Sequence, residues 1–517
     1  MADLESIPLT GVEFMDAAGA TVLPGIDDSH LHGYEYGRSL TAHDLRDCRS
    51  LAEFQHRLRD ARPEANGWIR GIGWDAALIP GSGPDGLLCA ADVDAVHPDV
   101  PVLLSDVTGH QALCNTTALR AAGVSGGTAD PIGGRFLRDE GGAPTGLLLE
   151  SAVGMLNDAM PRLSIAEQRA AILAAQQALL SQGVTAFTDP GLGPGARTLI
   201  DGTGDLNAVE AYRQLDVEGA LRMRVNLMLL FGGLGGTRAS DVADGLDAWG
   251  PPRRQGPHTH LDIAQVKVFA DGVPRSRTAW LSEPYDDCTC GHLQVAGDTD
   301  DARVAELHAI IAAAISRGWQ VGAHSIGDRA IGAYVDALEA AGAAADDRHY
   351  VIHGDLVTDA DLGRMHRLGM ILNSNPSIRW MVGRTVSPIL GDRRNVERQP
   401  LRRAVDLGVA VASSSDAPIM APDWRLIAAT AMTRALRTDP GYTDDQRLTA
   451  REAMTSLTAV GAWQSHAEGW RGAIAPGLAA DLVVLDGAVD WAEPWQLTDR
   501  SVGMTMVGGV VVHGNAA

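Results

Sequence analysis

A hydrophobic pattern recurs along the chain: an alanine-rich amphipathic stretch, a glycine, then a short β-branched run ending in a polar residue. It reads QALLSQGVTAFTD around Gly183, AAAISRGWQVGAH around Gly318, MHRLGMILNSN around Gly369 and RAVDLGVAVASSSD around Gly408. The glycine closes a helix, and the run behind it is a buried parallel strand. Such alternation predicts βα units. Eight strands are expected, at residues 25–32, 184–189, 222–231, 263–270, 320–324, 349–353, 371–375 and 409–414. Eight parallel strands make an α/β chain, a closed (β/α)₈ TIM barrel whose working groups sit at the C-terminal strand ends.

Two regions break the repeat. About 130 residues separate the first strand from the helix before the second, far more than a βα connection needs. An insertion or lid is therefore expected over 35–165, inside a barrel spanning 23–466. The last fifty or so residues carry short valine-rich strands between glycine turns, as in ADLVVLDG and VGGVVVHG. They predict a small β-sandwich from 467–517 joined by strands from 1–22.

Composition narrows the function. Apolar content of 45% and charged content of 21% are ordinary for a globular chain. No apolar run reaches bilayer length, and MADLESIPLTGVEF has neither a basic start nor an apolar signal core. A cytoplasmic protein without a membrane partner is expected. The net charge of −23 disfavours nucleic acid, because neutralising phosphate needs clustered cations. Five scattered cysteines point to reduced thiols, and the CxC of Cys288 and Cys290 has no companion pair with zinc-finger spacing. Arginine supplies all but one of the 42 basic residues; Lys267 is the only lysine.

The chemistry gathers at strand ends. LPGIDDSHLHG places His30 and His32 two apart on the first expected strand, so both side chains face the barrel mouth. Alone, HxH is weak in a chain with 16 histidines. Strand five, however, ends in His324, strand six in His353 and strand eight in Asp416, while strand four carries Lys267 inside an apolar run. Imidazole and carboxylate donors around one ring suit zinc or a similar divalent ion. An ammonium buried in such a strand should lose its proton near neutrality. The free amine can then capture carbon dioxide as a carbamate, a carboxylate able to bridge two cations, which arginine cannot form. The bland alternative is an ion pair from Lys267 to Asp271, Asp189 or Asp416.

These residues, in this order, resemble the amidohydrolase superfamily, and within it the YtcJ-like branch that includes N-substituted formamide deformylases. The resemblance runs from about Val22 to the C-terminus. It rests on LPGIDDSHLHG, WIRGIGWD, VTGHQALCNTTALRAAG, PTGLLLE, VKVFADGVPRSRTAWLSEPY, GWQVGAHSIGDRAI, SSSDAP and GLAADLVVLD. It implies two divalent ions, zinc first among candidates. His30, His32, carbamylated Lys267 and Asp416 would hold one; Lys267, His324 and His353 would hold the other. It further implies a metal-bridging hydroxide as nucleophile, with Asp416 as the catalytic proton carrier. Fewer residues than usual precede the first histidine motif, and SNPSIRW, with Trp380, departs from the family's usual loop.

The expected activity is hydrolysis of a non-peptide, amide-type C–N bond in a small molecule. A deaminase, a lactonase or esterase, or a decarboxylase is the alternative on the same scaffold, since such barrels host many reactions. A catalytically silent binding protein is the remote one. His110 could donate to the substrate's developing oxyanion or simply anchor its loop. Arg277, Trp280 and Trp380 are candidate substrate contacts; Arg277 can equally pair with Glu283 or Asp286. Trp74, Trp280 and Trp380 raise an apolar or aromatic substrate portion, though tryptophans more often fill a core. A homodimer is the candidate assembly.

Overall fold

Glycines 183, 318, 369 and 408 all sit at positive φ, between 59° and 83°, each where the sequence pattern turns from helix to strand. That is the region only glycine enters without penalty, so the repeat has a conformational cause. The computed structural model describes residues 15–131, 133–195, 204–232, 236–254 and 256–514. The helix Ile165–Ser181 shows the unit complete: Ser164 and Glu167 form a capping box at its start. Gly183 then turns the chain into a strand buried along its whole length.

Eight parallel strands line up in one sheet: Ile26–Asp28, Val184–Leu192, Arg224–Leu229, Leu261–Phe269, Gln320–Ser325, Tyr350–His353, Ile371–Ser374 and Ala410–Ser413. Each pairs with its neighbour in that order, and the sheet curls into a nearly closed barrel. Its seam is joined past the strand ends. Asp416 N donates to His30 O at 3.0 Å, and His32 N donates to Ala417 O at 2.9 Å. The first strand is shorter than expected: past Asp28, Leu31 N still donates to Thr188 O of the next strand at 2.8 Å, but His30 and His32 bond across the seam. His30 and His32 therefore lie beyond the strand, not on it. The seam brings them to Asp416.

Period-two alternation decides which residues look inward. On Leu261–Phe269, Val266 and Val268 join the main core beneath the helices. Gln265, Lys267 and Phe269 are left on the inner face. Lys267 pairs with Gly322 of the next strand, where a Cβ would come within 2.5 Å of the Tyr350 ring. Deeper in the barrel lies a polar layer: Gln265 bonds Gln320, and Tyr350 donates to Gln265. Gln464 closes the floor, its amide oxygen accepting from Asn373 and its carbonyl from Gln320.

The segment between the first two barrel strands builds its own six-stranded mixed sheet. Its elements are His43–Asp44, Ile69–Trp74, Val102–Asp106, Gln111–Cys114, Gly134–Arg138 and Pro144–Glu150. The turn between Val102–Asp106 and Gln111–Cys114 reaches the barrel mouth. A third, antiparallel sheet joins Val22–Pro24 to Leu482–Leu485, Val502–Val507 and Val510–Gly514. Where a sandwich was expected, the described residues give this single four-stranded layer. It is backed by the helix Ile165–Ser181, with Thr505 donating to Leu180 O at 2.7 Å. Residues 1–14 of the expected N-terminal strands lie outside the described residues. Among the described residues no helix is long and apolar enough to cross a membrane.

Candidate metal centre

Five imidazoles lie in a continuous run, four at or just past barrel strand ends and one, His110, on the turn of the inserted sheet. Ring centroids are 5.1 Å apart for His32 and His30, 5.6 Å for His30 and His353, 4.5 Å for His353 and His324, and 5.4 Å for His324 and His110. Asp416 Oδ1 lies 3.0 Å from His32 Nε2 and 3.3 Å from His30 Nε2. The Lys267 ammonium is buried among them, 4.9 Å from the Phe269 ring centroid, and its charge acts on His30, His324 and His353 alike. All six expected ligands therefore converge on one place.

The donor set fits a divalent cation. One donor atom each from His30, His32 and Asp416 lies within 4.8 Å of the others, close enough for a single ion. His30 Nδ1 and His324 Nδ1 are buried with no hydrogen-bond partner among the described residues. Buried imidazole nitrogens are rarely left so without a further ligand. Other rings are oriented from behind. His32 Nδ1 donates to Pro190 O at 3.1 Å and His353 Nδ1 to Asn375 Oδ1 at 2.7 Å. Each bond puts the proton on Nδ1 and turns Nε2 inward, as in ligating histidines generally.

Electrostatics keeps the set in its ligating form. Burial first, and Lys267 second, push His30 down to about 3. Burial also lowers His324, strongly, and His353. Burial alone would raise Asp416, but its bonds to His30 and His32 outweigh that and hold it well below the usual carboxylate range. Neutral imidazoles and an ionised carboxylate are what a metal requires. The backbone at two of the expected ligands is strained, with φ of 70° at His353 and 59° at Asp416. Left-handed non-glycine residues of this kind concentrate at functional sites.

The centre floors a cavity of about 850 Å³, mouth included, reached by His32, His324, His353 and Asp416. Val107, Val273, Ile326, Ile378, Val382, Val386 and Ile419 make its walls aliphatic. His110 lines it too, from the turn of the inserted sheet, its Nδ1 2.7 Å from Glu150 Oε2. Glu150 is buried, has φ of 51° and accepts from Thr278 through its other oxygen at 2.6 Å.

The other three expected substrate contacts lie elsewhere. Arg277 bonds Asp286 through Nε and Nη2 at 2.9 and 2.8 Å, outside the cavity lining. A 3₁₀ turn over Pro274–Ser276 presents Arg275 to the cavity instead. Trp280 is buried in the main core under the Arg329 guanidinium, 4.0 Å from its centroid. Trp380 is only partly buried and does not line the cavity. Trp74 is fully buried, donating to Leu104 O. Trp74 and Trp280 are packing. Of the three alternative partners for Lys267, Asp416 belongs to this cluster, and Asp271 and Asp189 are bonded elsewhere. Asp271 accepts three backbone N–H groups, and Asp189 accepts Tyr212 OH and Tyr34 N.

A model of the amidohydrolase family matches residues 13–513. The chain belongs to the amidohydrolase family. Among this amidohydrolase's relatives, a putative amidohydrolase, YtcJ, of Bacillus subtilis is 29% identical, the match covering 96% of this chain and 89% of the relative. An N-substituted formamide deformylase of Arthrobacter pascens is 28% identical, again over 96% and 89%. A solved metal-dependent hydrolase of Pyrococcus horikoshii superposes with a TM-score of 0.73 at 27% identity, covering 95% of this chain and 92% of that one.

Proposed function

We propose that this amidohydrolase cleaves a non-peptide, amide-type C–N bond of a small molecule with an aliphatic portion. The observation that carries the reading is the convergence of His30, His32, Lys267, His324, His353 and Asp416 on the floor of one aliphatic cavity. His30, His32 and Asp416 would hold one divalent ion, and His324 and His353 a second. Lys267, as a carbamate, would connect the two, and zinc suits the nitrogen and oxygen donors best. When bound, the ions supply Lewis acidity and an activated water at neutral pH.

The chain's own groups do the rest. Ionised Asp416 would receive the proton of the attacking water and return it to the leaving nitrogen. His110, held by Glu150, supplies a polar contact to the scissile group, and the aliphatic walls exclude bulk water. The name of the deformylase relative supports a C–N bond over a lactone or ester.

The test is turnover of matched formamides, longer amides, carbamates and esters by zinc-loaded protein, with metal content measured in parallel. Release of a primary amine with about two ions per chain is expected. Turnover of esters alone, release of ammonia, or no turnover across the panel would each overturn the reading.

A further inference from the structure

Away from the candidate metal centre and His110, the segment after the seventh barrel strand brings a buried cation to the aliphatic cavity. Arg398 lines the cavity with only 3% of its surface exposed. Its guanidinium is fixed on two sides: Nε donates to Asp355 Oδ2 at 2.9 Å and Nη1 to Asn395 Oδ1 at 3.1 Å. Asp355 is itself held by Gln399 Nε2 at 3.1 Å, and the same Nε2 donates to Asn375 O. The edge is thus rigid. Nη2 has no hydrogen-bond partner among the described residues, yet is not among the fully enclosed unpaired atoms. It keeps open surface, and the space beside this side chain is the cavity.

A guanidinium N–H facing an aliphatic chamber is unfavourable unless something in the chamber accepts from it. Asp355 offsets the charge, its Oδ2 accepting from Nε and its Oδ1 from Gln399. Arg275, the other arginine of the lining, differs: it also borders an open surface groove, where solvent satisfies it, and Nη1 is paired with Asp75.

We infer that the substrate carries a second oxygen acceptor, a carboxylate or a neutral carbonyl, which Arg398 Nη2 binds across an aliphatic spacer from the scissile bond. The inference rests on the proposed C–N hydrolysis for the identity of that bond. Arg398 is then a specificity residue: it selects substrates bearing an acceptor at the far end and leaves the cleavage machinery unchanged. Sites built to hydrogen-bond a polar group reject analogues lacking it far more strongly than apolar pockets reject a lost methylene.

Two measurements test it. In the first, zinc-loaded protein is given amides whose spacer ends in carboxylate, carboxamide or methyl. Both acceptor-bearing series are expected to exceed the methyl series in kcat/KM by about ten-fold or more. In Arg398→Met that ratio should fall to near one, whatever the general damage to turnover. Arg398→Lys should retain preference for carboxylate over carboxamide. The second needs no turnover: calorimetric affinities of C4–C8 dicarboxylates against monocarboxylates of equal length. At least one dicarboxylate is expected to bind about ten-fold tighter to wild type, with the advantage gone in Arg398→Met. Equal affinities throughout, or an advantage that survives Arg398→Met, would overturn the inference. A retained dicarboxylate advantage without amide turnover would uphold it and remove the C–N hydrolase reading instead.

Discussion

His353 Nδ1 meets Asn375 Oδ1 at 2.7 Å, a bond between the end of the sixth barrel strand and the residue just past the seventh. Asn375 is anchored in turn through Nδ2 to the carbonyl and hydroxyl of Ser414, on the way to Asp416. One amide thereby couples the two proposed ligands, His353 and Asp416, whose backbones are forced into the left-handed region. Asn375→Ala frees the His353 ring to turn while leaving its ligating nitrogen intact. Metal affinity is expected to fall roughly 10–100-fold, measured by competition with a chelator. Unchanged affinity would mean that the strained backbone alone orients His353.

Lys267 is buried, faces the barrel interior and has no lysine elsewhere in the chain to substitute for it. Lys267→Ala is expected to lose bound metal and activity together. Short carboxylic acids with added zinc should restore part of both by occupying the vacated space as a substitute carboxylate. Lys267→Arg should stay inactive, because a guanidinium forms no carbamate. Wild-type metal content and turnover in the arginine variant would rule the carbamate out.

How far the sequence reaches is visible in particular residues. The second, fifth, seventh and eighth strands follow from glycines 183, 318, 369 and 408 and the β-branched runs behind them, because a positive-φ turn leaves a local signature. Among the proposed ligands, His324, His353 and Asp416 were legible because they close or follow such strand runs, His30 and His32 through their HxH spacing, and Lys267 as the one lysine inside an apolar strand. The cavity wall was not. Ile378, Val382 and Val386 come from short helical turns after the seventh strand, where apolar residues show no period that separates cavity from core. Arg275 and Arg277 show the same limit: two residues apart, they point to cavity and surface because Arg277 turns left-handed at φ of 57°. Glu150 ends the PTGLLLE run just as the ligands end theirs, and its polar strand-end position was the available clue.

Glu150 serves His110 as Asn375 serves His353, except that the ring it holds touches the cavity without being a proposed ligand. Glu150→Gln retains an acceptor for Thr278 but loses the carboxylate that fixes the His110 proton on Nδ1. kcat/KM is expected to drop by roughly 10–100-fold with metal content unchanged. Glu150→Asp should recover part of the loss. A parallel fall in metal content would instead place His110 and Glu150 in the support of His324.

Asp106 sets a pH dependence apart from the metal ligands. Burial pushes it up to about 6, against the lowering pull of Arg275 and its bonds from Thr108 and Gln111. Its folded value lies above the unfolded 3.8, so between those pH values the folded protein holds more of this proton than the unfolded chain. By linkage, the stability tied to Asp106 is fully present below pH 3.8 and is lost as pH rises to 6. Two or so pKa steps for a fully buried group correspond to about 3 kcal/mol. Denaturant unfolding of wild type and Asp106→Asn across that range should show the wild type losing about 3 kcal/mol relative to the variant as pH rises. Parallel curves would mean that the Thr108 and Gln111 bonds offset the burial of the charge completely.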